Sequence, residues 1–489
     1  MTSAVLLFDN ASIVPHDISN LLGVSRYSDI YYRKRSLDRW IADICAAAGI
    51  DFVELAEGPA SSALTKRLEQ ANLVVLYIPS FMAFGCPEED AALFLRKLSL
   101  TRSCICVTES DAAAQPSIQV AAMTGQLARH VLQTALQGGN LAETLAEARH
   151  QMHSVPSDVH LIDMRDPLRF TDYLTSNFDV RFFNSVQSVN DFTVEKRSSD
   201  ARKLRREYQY YGLLPAELQT FFIQPYAFHQ EGNSASYRME RLFVPDMALQ
   251  WIHGSLDERS LKRFFDKIFH YIDLRPAKAV DKVTAQSVYQ DAYRTKVKER
   301  LQQLKTLSEF DRLSPYLDVN FGGIDALFNR YFTLLDQADE RPQPNELRLG
   351  HGDLCFSNIL YSKTTDLMRF IDPRGADSQD DLYLTPLYDL AKLSHSVIGN
   401  YDFINYGLFQ LEIDQDLQLS LHIEQEVPTW ARPMFEQHLR QNGFDPYRIR
   451  LLEASLFLSM APLHIDSPRK VLAFLVNAGK ILAELESQS

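Results

Sequence analysis

The pattern of apolar and polar positions gives the chain two rhythms. Over the first third, continuous apolar runs at 4–8, 73–78 and 104–107 end in polar residues or proline, as buried strands do. Between them, residues 37, 40, 41, 44, 45 and 48 are apolar at helical spacing, and Gly49 stops the pattern. Residues 118–136 read as a further helix and 160–164 as a last strand. This alternation predicts an α/β domain with a largely parallel sheet over residues 1–170.

From about residue 180 the rhythm changes. Residues 192–196 alternate and read as a strand ending in Lys196; 202–212 read as a helix carrying Glu207; 236–243 alternate again. Ser255 and Glu258 have capping-box spacing, ahead of a helix that would bury Leu261, Phe264, Phe265, Ile268 and Ile272. Residues 284–306 predict a long helix with a charged outer face, and 400–489 read as helical. These elements predict an α+β unit over 180–489, with a small sheet-bearing lobe at about 180–245 and a large helical lobe at about 246–489. No repeat or biased segment stands out.

Composition narrows the classes. The 489 residues suffice for two or three domains. Sixty-three acidic against 50 basic residues, a net charge of −13, argue against nucleic acid or an anionic membrane as main partner. The five cysteines are odd in number and follow no disulfide or zinc spacing, which suits a reducing compartment. The N-terminus has no basic flank, and no apolar stretch reaches the roughly 20 residues needed to cross a bilayer. A cytoplasmic protein without membrane insertion is expected, and its oligomeric state is left open.

The candidate chemistry lies in His351-Gly352-Asp353-Leu354-Cys355-Phe356-Ser357-Asn358, followed by Phe370-Ile371-Asp372-Pro373-Arg374-Gly375. Phosphoryl transfer requires an in-line acceptor and charge neutralisation. Asp353 is a candidate to take the proton of a hydroxyl. Asn358 and Asp372 supply the amide and carboxylate oxygens that Mg²⁺ favours. The 19 residues from Asp353 to Asp372 leave room for a hairpin with strands near 359–361 and 367–371.

The His-Gly-Asp-x-x-x-x-Asn segment with the later Ile-Asp-Pro resembles the aminoglycoside phosphotransferase/choline kinase family of the protein-kinase-like fold. Gly352 departs from protein kinases, which carry Arg before the catalytic Asp. The resemblance covers about 180–485 and implies a bilobal phosphotransferase domain using ATP and Mg²⁺. It makes Lys196 and Glu207 the ion pair that holds the ATP phosphates. It makes Ser185 a phosphate contact in a loop lacking the usual glycines, and sets Glu240, Arg241 and Leu242 at the adenine hinge beside Met239. His351 becomes a loop brace, as does Asp389, and His395, Tyr401 and Asp402 fall where acceptor pockets are built. Arg374 is read evenly as a contact to the phosphoryl group or an anionic substrate, or as a brace for an acidic partner. Asp377, Asp380 and Asp381 are expected to rim the acceptor cleft.

The first half, joined to such a domain, resembles the sugar-nucleotidyltransferase-like half of bacterial capsule and surface-polysaccharide proteins. Asp9-Asn10-Ala11-Ser12 stands where working enzymes of that kind carry a glycine-rich phosphate loop, so a degenerate, non-catalytic Rossmann-like or nucleotidyltransferase-like domain is expected. The expected activity is phosphorylation of a small-molecule hydroxyl, with a sugar or polyol in polysaccharide synthesis as first acceptor. The alternatives are an aminoglycoside- or choline-type kinase and a nucleotide-binding pseudokinase scaffold.

Overall fold

The computed structural model describes residues 3–488 except 33–34, 56–61, 66, 70–71, 108–119, 167–168, 171–172, 174–183, 191, 341–344 and 425–426; for 184–188, among others, it describes the backbone alone. The chain divides into two units, Met1–Asn177 and Phe178–Ser489.

The first unit is built on a six-stranded sheet. Its strands are β1 (Ser3–Asp9), β2 (Asp51–Leu55), β3 (Leu73–Pro79), β4 (Cys104–Val107), β5 (Val120–Thr124) and β6 (His153–Pro156). Their order is β2-β1-β3-β5-β4-β6. All run parallel to their neighbours except β5, which opposes both β3 and β4. The sheet is therefore mixed rather than largely parallel. The cause lies in 118–136, read above as one helix. Among its described residues it is a strand followed by the helix Gly125–Leu136, with Gly125 at φ +63° at the joint. A short apolar run such as Val-Ala-Ala-Met fits a buried strand and a buried helix turn equally. The 160–164 run forms Leu161–Asp163, which pairs with Met82–Phe84 outside the main sheet. The last strand of the sheet is β6, whose residues are mostly exposed and carry no apolar signal. Asp9, at the end of β1, accepts hydrogen bonds from Tyr77 and from the Ala11 amide.

The second unit opens with a four-stranded antiparallel sheet. Its strands are β7 (Asn184–Asn190), β8 (Thr193–Ser198), β9 (Pro225–Glu231) and β10 (Ser234–Glu240), in the order β7-β8-β10-β9. Helix α1 (Ala201–Leu213), capped by the Asp200 side chain on the Lys203 amide, packs Leu204 against Val194, Ala235, Tyr237 and Met239. β10 ends at Glu240, three residues earlier than its alternation suggests.

The rest of this unit is mainly helical. Helix α2 (Glu258–Leu274) starts two residues later than the Ser255 capping box implies. Asp257 is the cap, accepting from the Ser260 amide at 2.7 Å, while Ser255 donates to the Gln250 carbonyl. The helix expected at 284–306 runs as α3 (Lys282–Gln290) and α4 (Lys296–Thr306), joined by a π-helical turn at Asp291–Thr295. The predicted hairpin forms as β11 (Ile359–Ser362) and β12 (Leu367–Phe370). The C-terminal stretch is not wholly helical, because Phe409–Ile413 pairs with Leu419–Ile423. Both segments alternate with period two, a strand signal inside a helical region. Among the described residues no helix is long and apolar enough to cross a membrane.

β12 delivers Asp372 to the site, and aromatic packing fixes its position. Phe370 is 1% exposed. Its ring meets Phe221, Phe222 and Tyr271 at centroid distances of 5.9, 5.3 and 4.6 Å, and its amide donates to the Phe221 carbonyl at 2.6 Å. We expect Phe370→Ala to cost about 3–5 kcal/mol, as truncation of a buried aromatic does. Urea unfolding reads this directly, and a loss under 1 kcal/mol would mean the cluster is not part of the cooperative core.

Candidate active site

The Lys196 half of the site starts from two periodicities. Along β8, Val194 and Lys196 share a face. Along α1, Leu204, Glu207 and Tyr210 share a buried face at helical spacing. The two patterns bring the Lys196 ammonium to 2.7 Å from Glu207 Oε2, and the same ammonium lies 2.7 Å from Asp372 Oδ1. The side chains of Lys196 and Glu207 are 3% and 4% exposed, that of Asp372 42%. Burial alone would push the ammonium down. The charges of Asp372, the Tyr237 phenol and Glu207 outweigh it and hold Lys196 well above its ordinary value. Burial raises the Glu207 carboxyl, and Lys196 opposes that rise.

The loop after Glu346–Leu349 is held by one buried carboxylate. Asp389 accepts from the amides of His351 and Gly352, both at 2.8 Å, and pairs with Arg275 at 3.0 Å. The side chains of Arg275 and Asp389 are 1% and 0% exposed. His351 is fully buried. Its Nε2 faces the Ile371 carbonyl at 2.9 Å, and its Nδ1 accepts from the Asp353 amide at 3.2 Å. Only the neutral Nε2–H tautomer satisfies both bonds, and burial lowers the imidazole's affinity for a second proton. His351 thus ties the Asp353 turn to the backbone just before Asp372. Gly352, at φ +80°, is required twice over, because a Cβ there would lie 2.6 Å from the Cβ of Arg374.

Asp353 itself meets Lys392 at 2.8 Å. Lys392 stands on helix α5 (Tyr388–Val397) three residues after Asp389, so one helix face both braces the loop and contacts its carboxylate. Burial would lower the Lys392 ammonium, but the Asp353 charge outweighs it and holds the group above its ordinary value.

Asp372 has φ +55°, a left-handed conformation uncommon outside glycine. Strain of this kind persists where surrounding contacts over-determine it. Here Gly375 supplies the close contact: a Cβ on it would sit 2.7 Å from the backbone of both Arg206 and Glu207. The Ala376 amide donates to the Arg206 carbonyl, and Tyr210 donates to the Gly350 carbonyl at 2.9 Å. Helix α1 is therefore pinned from both sides of the cleft.

The donor set fits a hard divalent cation. Asn358 commits its amide nitrogen to the Asp353 carbonyl at 2.8 Å, which leaves its side-chain oxygen as an acceptor. The Ile371 amide donates to the Asn358 carbonyl, setting the two loops side by side. Asp372 keeps one oxygen without a hydrogen bond among the described residues. No group of three or more His, Cys, Asp or Glu side chains placed to hold a metal occurs among the described residues.

Other expected residues fall less centrally. The Ser185 side chain lies outside the described residues; its backbone pairs with Arg197. Glu240 is exposed at the end of β10 opposite Thr193, and Leu242 is partly exposed in the linker that follows. Arg374 is exposed, and its amide donates to the His351 carbonyl. The acidic cluster is already engaged: Asp377 pairs with Arg206, Asp380 with Lys278, and Asp381 accepts from the amides of Asp377 and Ser378. His395 is buried and stacks on Tyr401 at 4.1 Å. Two residues went unread in the sequence. Arg275 follows a helix end without any motif. Lys392 had one available signal, its i+3 spacing from Asp389.

No family model matches the chain, and no curated protein matches it. Solved structures similar to it include aminoglycoside phosphotransferase APH(3'')-Id from Streptomyces rimosus in complex with ADP and streptomycin. That likeness has 15% identity and TM-score 0.34, covering 57% of this chain and 88% of that one. A thermostable mutant of aminoglycoside phosphotransferase APH(4)-Ia, in ternary complex with AMP-PNP and hygromycin B, has 10% identity and TM-score 0.38, covering 65% and 99%. Aminoglycoside-3'-phosphotransferase of type VIII has 13% identity and TM-score 0.34, covering 56% and 93%. At these values the likeness carries no argument about what this chain binds or transfers.

Two outcomes follow from the geometry. Gly375→Ala forces α1 away from the loop, and we expect a loss of about 1–3 kcal/mol of stability with the fold retained, as overpacking a close contact does; a loss under about 0.5 kcal/mol by urea unfolding would mean that the helix yields without cost. The second outcome concerns Asp246 and Asp402, both buried beneath the loop. Burial pushes both carboxyls up to about 7; the Leu249 amide opposes this at Asp246, where the Asp402 charge adds to it. Between about pH 4, where unfolded aspartate titrates, and pH 7, the native state binds more protons than the unfolded one. These two carboxyls therefore contribute stability that is lost as pH rises through that window, against the opposite contribution of the buried histidines His253, His351 and His395. Urea unfolding at pH 5 and pH 8 reads the balance, and Asp402→Asn should shrink the loss; an unchanged slope would rule out Asp402 as a contributor.

Proposed function

We propose that the second unit is an ATP- and Mg²⁺-dependent phosphotransferase that moves the γ-phosphoryl group of ATP to a hydroxyl of a small molecule. The carrying observation is the Lys196 ammonium, joined at 2.7 Å to both Glu207 and Asp372. In this reading Glu207 aims Lys196 at the ATP phosphates. Asp372 and Asn358 would hold Mg²⁺, which when bound would neutralise charge on the phosphates. Asp353 orients the acceptor hydroxyl and takes its proton; the acceptor oxygen bonds phosphorus, the bond to the β-phosphate oxygen breaks, and ADP leaves. Asp389, Arg275 and His351 fix the loop so that Asp353 need not reorganise. Arg374, exposed and without an ion pair among the described residues, lies against Gly352 of the loop and is assigned to phosphoryl or anionic oxygen. Glu240 and Leu242 are assigned to the adenine side, and Ser185 to the phosphates.

A sugar or polyol is the preferred acceptor, in capsule or cell-surface polysaccharide synthesis within the cytoplasm, and the first unit is read as a non-catalytic nucleotidyltransferase-like partner. Asp9, spent on Tyr77 and the Ala11 amide, supports the non-catalytic reading. An aminoglycoside or choline acceptor would seek free carboxylates at the rim, and Asp377, Asp380 and Asp381 are engaged. A pseudokinase scaffold would be free to lose one of Lys196, Glu207, Asp353, Asn358 and Asp372, and all are present.

The full chain, given ATP and Mg²⁺ with a panel of sugars, polyols, choline and aminoglycosides, should phosphorylate at least one compound. Asp353→Asn should lower kcat by about 10²–10⁴, the scale of general base catalysis, with ATP affinity changed only a few-fold. ATP binding without transfer to any member favours the scaffold, and retained turnover in the variant removes Asp353 from its role.

A further inference from the structure

A chain of contacts leads away from Asp353 on the side opposite Lys196. Lys392 touches Asp353 at 2.8 Å, and Tyr388 lies one helical turn before Lys392 on the same face of α5. From α4, the Lys296 ammonium donates to the Tyr388 hydroxyl at 3.1 Å and lies 5.4 Å from the centre of its ring. A half-buried ammonium normally finds a carboxylate. Arg294 meets Asp336 and Asp339, and Lys305 meets Asp325, while Lys298 lies over the Phe332 ring. Lys296 makes no ion pair among the described residues, and the nearby carboxylates of the loop are taken by Arg275, Arg206 and Lys278. Lys296 thus holds the Tyr388 hydroxyl without a carboxylate of its own, and one turn along the same face Lys392, whose ammonium feels the Tyr388 phenol, holds the reacting carboxylate.

We propose that the hydroxyl acceptor carries an anionic group, a phosphate or a carboxylate, and that Lys296 and Lys392 bind it across the Tyr388 hydroxyl. This rests on the phosphotransferase reading and adds a charge to its acceptor. Two cations at close quarters select an anion and repel a polyamine or a quaternary ammonium, so the site discriminates by repulsion as well as attraction. Lys392 serves twice, orienting Asp353 and meeting the anion, whereas Lys296 belongs to the acceptor alone.

The test uses the full chain. AMP-PNP–Mg²⁺ binding is measured first by calorimetry, and its absence counts against the phosphotransferase reading by itself. Glucose, glucose 6-phosphate and glucuronate are then titrated into the nucleotide-loaded protein. At least one anionic sugar should bind ten times more tightly than glucose, and which one does so distinguishes phosphate from carboxylate. Lys296→Met should erase the preference and Lys296→Arg should restore it, with thermal unfolding confirming that each variant folds. Wild-type binding of both anionic sugars no tighter than glucose overturns the proposal, as does a preference that survives in folded Lys296→Met. If Lys296→Met fails to fold, the wild-type comparison and Lys296→Arg decide.

Discussion

The Lys196 ammonium is removed from water, and two carboxylates 11 and 176 residues away in the chain offset the loss. Taking a charge out of solvent costs several kcal/mol unless partners are held in good geometry. The site therefore depends on whatever fixes Glu207 and Asp372. Glu207 is fixed by a helix whose backbone rests on Gly375. Asp372 is fixed by a strand wedged among aromatic rings. A small sheet and a mainly helical lobe are linked through one cation, and each side's placement requires the other's.

Asp389 has a comparable place beside Asp353. Its two oxygens receive two loop amides and a guanidinium, so the turn before Asp353 is shaped by charge rather than by packing. Since Asp389 and Lys392 ride on the same helix, the brace of the loop and the cation beside its carboxylate move as one body. A preorganised site of this kind reacts without first rearranging its own dipoles.

Much of this was legible where chemistry and spacing coincide. Asp353, Asn358 and Asp372 stand out by residue type and spacing, and the hairpin between the last two follows from length and turn residues. The strand of Lys196 and the helix of Glu207 were legible from periodicity, while their pairing was implied by the resemblance alone. Arg275 was not, since a lone arginine past a helix end is indistinguishable from a surface residue until Asp389 is placed beside it. The mixed first sheet escaped for a different reason: the apolar run of β5 carries no periodicity that separates strand from helix. The 409–423 hairpin was legible in principle, its alternation hidden within a region otherwise helical. Capping misled by two residues, because Ser255 and Asp257 both fit a cap and only the amide geometry chooses between them.

The π-helical turn between α3 and α4 adds one residue to what would otherwise be a continuous helix. Each residue in a helix advances its faces by about 100°, so this single extra residue decides that Lys296, and not a neighbour, points toward Tyr388. A one-residue insertion or deletion here would rotate a different side chain into that place while leaving the Lys196 cluster untouched. Within a lineage, the surroundings of Tyr388 have a route to change by length rather than by substitution, in one step that the Lys196 cluster does not feel.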